Sequence, residues 1–157
     1  MVTELVLELP NDLRQIEHAV EYVMERCTAC EAHARKLRLN FRVSLSEALS
    51  NAMLYGNARD PRKRVRVEVI VGERAITARI TDEGPGFDYE EVPDPTAPEN
   101  LEKSGGRGLF LMRELMDEVH YNERGNEVTL VLRLDPEGKG EEEKKKKKRE
   151  EGGGAET

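Results

Sequence analysis

Two runs of alternating apolar residues, Val65-Val67-Val69-Val71 and Ile76-Ala78-Ile80, are separated only by a short turn at Gly72-Glu73-Arg74. Alternation at period two sends one side of each run into a core and the other towards solvent. So short a connection makes the two runs pair as an antiparallel hairpin. The second run ends at Asp82 and passes directly into Glu83-Gly84-Pro85-Gly86-Phe87. The chain must therefore cover one face of a sheet that ends in an acid followed by alternate glycines.

Three helical patterns offer that cover. Leu13, Ile16, Val20, Val23, Met24 and Cys27 keep helical spacing after Pro10-Asn11-Asp12, which supplies N-cap chemistry. From about Asn40, Phe41, Leu45, Ala48, Leu49 and Ala52 form a second stripe, with Gly56 as the helix stop and Pro61 soon after. Leu109, Met112, Leu115, Met116 and Val119 form the third. Thr3–Leu9 alternates as a half-buried strand, while His120–Asn122 and Glu127–Leu134 read as a closing hairpin turned at Arg124-Gly125-Asn126. The polar segment Thr28–Arg38 reads as a helix end and connection.

This order, β-α-α-β-β-lid-α-β-β, predicts an α+β fold. It is a two-layer sandwich whose mostly antiparallel mixed sheet is covered on one face by about three helices and left nearer solvent on the other.

At 157 residues the chain reads as one domain, residues 1–135, followed by a disordered charged tail, residues 136–157. The tail carries seven acids and seven bases, so the whole net charge of −7 falls on the folded part. An acidic domain is a poor non-specific binder of nucleic acid, and no direct nucleic-acid partner is expected. No run of eighteen apolar residues and no basic-then-apolar leader is present, which predicts a cytoplasmic protein with no membrane partner. Cys27 and Cys30 form a C-x-x-C with His33 three residues on, but no second pair accompanies them. They read as two reduced thiols.

Three stretches carry chemistry. Glu47 and Asn51 lie one turn apart on a helix face distinct from the apolar stripe. There they read either as an ordinary solvated stripe or as a general base beside a metal-ligand oxygen. Asp82-x-Gly84-x-Gly86 allows backbone to approach a flat ligand closely, with the carboxylate accepting a hydrogen bond from an exocyclic amine. Gly105-Gly106-Arg107-Gly108-Leu109 opens a helix, where unpaired N–H groups and the positive dipole end favour an anion. It is neither a Walker loop nor a Rossmann fingerprint. Between the last two, Asp88–Gly105 loses periodicity and carries Pro93, Pro95 and Pro98, as a functional lid does. Together these parts would bind ATP with Mg²⁺.

In order and approximate spacing the three stretches resemble the N, G1 and G2 boxes of the GHKL ATPase superfamily, over roughly Thr3 to Leu134. The form S-E-A-x-S-N-A-x-x-x-G-N and the run G-G-R-G-L-F-L-M-R-E-L-M-D-E-V are most similar to the anti-sigma-factor serine kinases of RsbW and SpoIIAB type. That resemblance implies the Bergerat ATP-binding fold with an ATP lid, and the cofactors ATP and Mg²⁺. It implies Glu47 as general base, Asn51 as the Mg²⁺ ligand, and Asp82, Gly84 and Gly86 at adenine. Gly105, Gly106, Arg107, Gly108 and Leu109 would lie at the lid and phosphates. Tyr55 stands where relatives often carry His, and Asn126-Glu127 occupies the region of an adenine-holding Thr, so neither receives a role.

The implied activity is a serine/threonine protein kinase and anti-sigma factor that binds a sigma factor and phosphorylates a STAS-type anti-anti-sigma protein. Homodimerisation is left open. Two rival readings are a non-catalytic ATP-binding module that sequesters a partner, and the catalytic half of a split histidine kinase.

Overall fold

β2 (Arg64–Val71) and β3 (Ala75–Asp82) form the hairpin that the alternation requires, in register from Val65↔Asp82 to Val71↔Ile76. The computed structural model describes residues 2–27, 34–86 and 106–134. β1 (Thr3–Pro10) lies on the outer side of β2, from Thr3↔Val71 to Pro10↔Arg64. On the other side β5 (Glu127–Arg133) pairs with β3, and β4 (Glu118–Tyr121) pairs with β5. The sheet order is β1-β2-β3-β5-β4, and every described pairing is antiparallel.

One face of this sheet is the core. Val65, Val67, Val69, Ile76, Ala78, Ile80, Leu130 and Leu132 are buried there against α1 (Ile16–Arg26), α3 (Arg42–Asn51) and α4 (Gly106–Leu115). Val20 and Val23 of α1, Leu45, Ala48 and Leu49 of α3, and Leu109 and Met112 of α4 meet it from the helix side. The opposite face is polar. Arg66 pairs with Glu68 at 2.9 Å, and Arg79 stands between Glu68 and Glu127. Such exposed pairs contribute at most about 1 kcal/mol each. Their effect is to keep this face in water. The α+β sandwich is thus as the hydrophobic pattern predicts.

The elements depart from the sequence pattern at three places. Helical structure is already present in α2 (Ala34–Lys36) and runs through a wide π-helical turn, Leu37–Phe41, into α3. The segment read as a polar connection hides Leu37, which is buried with Phe41. Val119 belongs to β4 and not to the third helix, because Asp117 ends that helix. Its N–H donates to the Val131 carbonyl and its carboxylate accepts the Arg133 N–H, starting a strand. Leu13 sits in a 3-10 turn, Leu13–Gln15, and stays exposed.

α3 ends in a second π-helical turn, Ala52–Gly56, closed by the Asn57 N–H on the Ala52 carbonyl at 2.7 Å. The left-handed residues that reverse the chain are Ala58 and Arg59, not Gly56. Asn57 is fully buried. Its Nδ2 donates to Asn11 Oδ1 and to the Arg64 carbonyl, and its Oδ1 accepts the Glu83 N–H at 2.8 Å. Asn11 in turn donates to the carbonyls of Met53 and Asp60. One carboxamide therefore ties the end of α3 to β2 and to the exit of β3.

Buried donors and acceptors left without partners cost about 1–3 kcal/mol. Asn57→Ala should accordingly lower the unfolding free energy in urea by about 2–3 kcal/mol. Arg62→Ala, which removes only the surface pair with Asp60, should change it by less than about 0.5 kcal/mol. Equal effects of the two substitutions would refute the assignment.

Candidate active site

Asp82 is the last residue of β3 and points to the helix side of the sheet, where it is 9% exposed. Its Oδ1 accepts the Gly84 N–H at 2.8 Å. The end of α3 lies directly over it. A Cβ on Gly56 would fall 2.2 Å from Asp82 Oδ2, and a Cβ on Gly84 would fall 1.7 Å from the Gly56 carbonyl oxygen. Helix end and glycine segment touch backbone to backbone, which no larger residue permits at either position. Gly56, read from sequence as a helix stop, is a glycine because a carboxylate fills the space of its side chain.

Asp82 Oδ2 takes no hydrogen bond from the described residues. Burial holds its carboxyl above the ordinary 3.8. The Gly84 N–H and the charges of Lys63 and Arg124 pull it back. Tyr121, from β4, shares this corner. Burial pushes its phenol up to about 12; Asp82 adds to the rise, while Arg113 opposes it. Pattern alone does not flag Tyr121, since a Tyr alternating in a strand reads as core.

On the side of α3, from its middle to its last residue, Glu47 and Asn51 converge on the first turn of α4. A Cβ on Gly108 would lie 2.8 Å from Glu47 Oε2 and 3.0 Å from Asn51 Nδ2. Neither side chain makes a hydrogen bond or ion pair among the described residues. α4 is held in this attitude by Leu109 and Met112 in the core, and by Asn40, whose Nδ2 donates to the Leu115 carbonyl at 2.8 Å. Its start, Gly106-Arg107-Gly108, presents N–H groups that have no partner within the helix.

Leu109 is 2% exposed and its side chain belongs to the core, so only its main chain can serve an anion. Gly105 and the rest of the Asp88–Gly105 lid lie outside the described residues, as do Cys30, His33 and the tail from Pro136. Cys27 is buried.

A family model for the histidine kinase-like ATPase domain matches residues 7–132. The chain belongs to this family. This histidine kinase-like ATPase domain is also 38% identical to an anti-sigma F factor of Geobacillus stearothermophilus over 91 residues, 55% of this chain and 61% of that protein. To a serine-protein kinase RsbW of Oceanobacillus iheyensis it is 34% identical over 89 residues, 53% and 56% of the two chains. A serine-protein kinase RsbW of Listeria monocytogenes is 30% identical over 92 residues, 54% of this chain and 59% of that one. The match spans about three-fifths of the length of these curated relatives. Among the described residues of the ATPase domain, no helix is long and apolar enough to cross a membrane.

The raised carboxyl of Asp82 has a consequence for stability. With its folded value above the ordinary 3.8, the unfolded chain gives up the proton first. The native state then loses stability as pH rises from about 3.8 through the folded value, and the cost is complete at neutral pH. Asp82→Asn keeps the acceptor for Gly84 and removes that cost. It should raise the melting temperature at pH 7 by a few degrees, about 2–5 °C. The gain should shrink as the pH falls through the ordinary 3.8 and vanish about one unit below it, where the wild-type carboxyl is protonated in both states. Equal melting temperatures at neutral pH would contradict this account.

Proposed function

We propose that this chain is an ATP-dependent serine/threonine protein kinase and anti-sigma factor that binds a sigma factor and phosphorylates a STAS-type antagonist. The family assignment and the names of its relatives support the reading. The observation that carries it is the placement of two polar sites along one helix, the first on its side and the second under its end. Glu47 and Asn51 face the glycine start of α4, while Asp82 lies in the Gly56–Gly84 cradle. From Glu47 to Gly56 the helix rises at most about 14 Å, at roughly 1.5 Å per residue over its α-helical part and less over the wide turn Ala52–Gly56, a span on the scale of an extended nucleoside triphosphate.

In this reading Asp82 Oδ2 accepts a hydrogen bond from the exocyclic amine of adenine, and Gly84 and Gly86 leave room for the ring. The phosphates lie against the N–H groups of Gly106, Arg107, Gly108 and Leu109. Asn51 Oδ1 is a hard oxygen donor, unpaired among the described residues, and fits Mg²⁺, which binds few protein oxygens beside its phosphates. Bound there, the metal supplies charge neutralisation to the triphosphate. Glu47 takes the proton from the acceptor hydroxyl as that oxygen bonds to the γ-phosphorus, and the bond to the leaving ADP oxygen breaks. The base sits on a rigid helix next to the metal ligand, so no side chain must be reorganised to align the two.

Incubation with γ-labelled ATP and a STAS-type protein should place the label on a serine or threonine of that protein. Glu47→Ala should lower the transfer rate by about 10²–10⁴-fold, the usual size of a general-base contribution. Its affinity for Mg·ADP should stay within about threefold, because binding contacts are left in place. Unchanged transfer would remove Glu47 from this role, and label on a histidine would favour a histidine kinase.

A further inference from the structure

The turn between β4 and β5 is unusually well tied. Asn122 Oδ1 accepts the N–H groups of Gly125, Asn126 and Glu127, and its Nδ2 donates to Asn126 Oδ1 at 2.7 Å. Gly125 takes φ +80°, as such a turn demands. From this turn two side chains reach the segment that leaves β3. Asn126 Nδ2 donates to the Asp82 carbonyl at 3.2 Å, while the Asp82 N–H returns a bond to the Asn126 carbonyl at 2.9 Å. Arg124 Nη2 donates to the Gly84 carbonyl at 3.3 Å and its Nε to the Pro85 carbonyl at 3.4 Å. Gly86, at φ +86°, passes so close that a Cβ there would lie 1.8 Å from the Arg124 carbonyl oxygen.

We propose that Arg124 is a positioning residue of the nucleotide pocket: its guanidinium holds the Gly84 and Pro85 carbonyls in one planar fork and sets the glycine segment beneath Gly56 before a ligand arrives. The proposal rests on the nucleotide-binding reading above. Gly84 and Gly86 each lose more backbone freedom on ordering than a residue with a side chain would, and without the fork that ordering is deferred to the binding step. A single ammonium cannot grip both carbonyls as a guanidinium does.

Arg124 has a second effect on the same pocket. Its charge, with that of Lys63 on the loop before β2, favours the ionised form of Asp82 against burial. The other titratable group facing Asp82 is the Tyr121 phenol from β4, and the end of α3 presents only Gly56. Glu83 is turned outward, where its carboxylate accepts the Arg64 N–H.

The test compares wild type, Arg124→Met and Arg124→Lys by amide exchange without ligand and by calorimetric titration with Mg·ADP from pH 5 to 8. In Arg124→Met, amide exchange at Gly84 and Gly86 should rise in the free protein. ADP affinity at pH 7.5 should fall about tenfold, the scale of lost charge-assisted hydrogen bonds. The pH below which ADP is lost should also move upward, because the carboxylate acceptor protonates more readily without the cation. Arg124→Lys should restore the wild-type pH profile but not the affinity. Wild-type exchange at Gly84 and Gly86 in Arg124→Met overturns the positioning role, as does wild-type ADP affinity in that variant. Full affinity in Arg124→Lys overturns the fork. Failure of wild type to take up ADP, with the exchange change still present, overturns the nucleotide reading and leaves Arg124 as the brace of this segment.

Discussion

Asp82 against Gly56 is the contact on which the rest of the molecule is arranged. A carboxylate 9% exposed is costly to bury, and among the described residues it has one backbone hydrogen bond and the charges of Lys63 and Arg124 in compensation. The surroundings are built to hold it there. β3 must end at that residue, α3 must arrive without a side chain, and the next glycine must lie against the helix carbonyl. The wide turn Ala52–Gly56 and the buried Asn57 fix how α3 arrives, while the β4–β5 turn fixes what lies beneath. Asp82 Oδ2 takes no hydrogen bond from the described residues, and burial outweighs the Gly84 N–H and the two cations, so the carboxyl stays above its ordinary value.

α3 has three duties at once. Its apolar stripe, Leu45, Ala48 and Leu49, is packed on the sheet; its polar face offers Glu47 and Asn51 to α4; its end covers Asp82. Because one rod carries both polar sites, the distance between them is set by helical rise and cannot drift independently. Such a ruler suits a ligand with a flat head and an anionic tail. The family to which the chain belongs and the relatives it resembles agree with that ligand class.

The features most open to reading from sequence were those governed by neighbours in the chain. The 65–80 hairpin follows from alternation and a short turn. The α3 stripe follows from helical spacing, and Phe41, Leu45, Ala48, Leu49 and Ala52 are all buried as that spacing requires. Where the reading slipped, a distant partner had decided the outcome. Val119 continues a helical period but pairs with Leu130 in a strand, since Asp117 is engaged by β5. Leu37 looks like part of a polar connection, yet it is buried in the core.

By itself, then, the order of residues determined the α+β class, the polar face of α3, and the acid and glycines at the exit of β3, because each depends on periods of two or of 3.6 and on local turn chemistry. Only the tertiary structure decided that Gly56 is a glycine for the sake of Asp82. It also decided that Gly108 is small where Glu47 and Asn51 converge, and that Arg124 reaches back to Gly84 and Pro85. These are contacts between residues 26 to 61 positions apart, and no local pattern carries information about which space a distant side chain will fill.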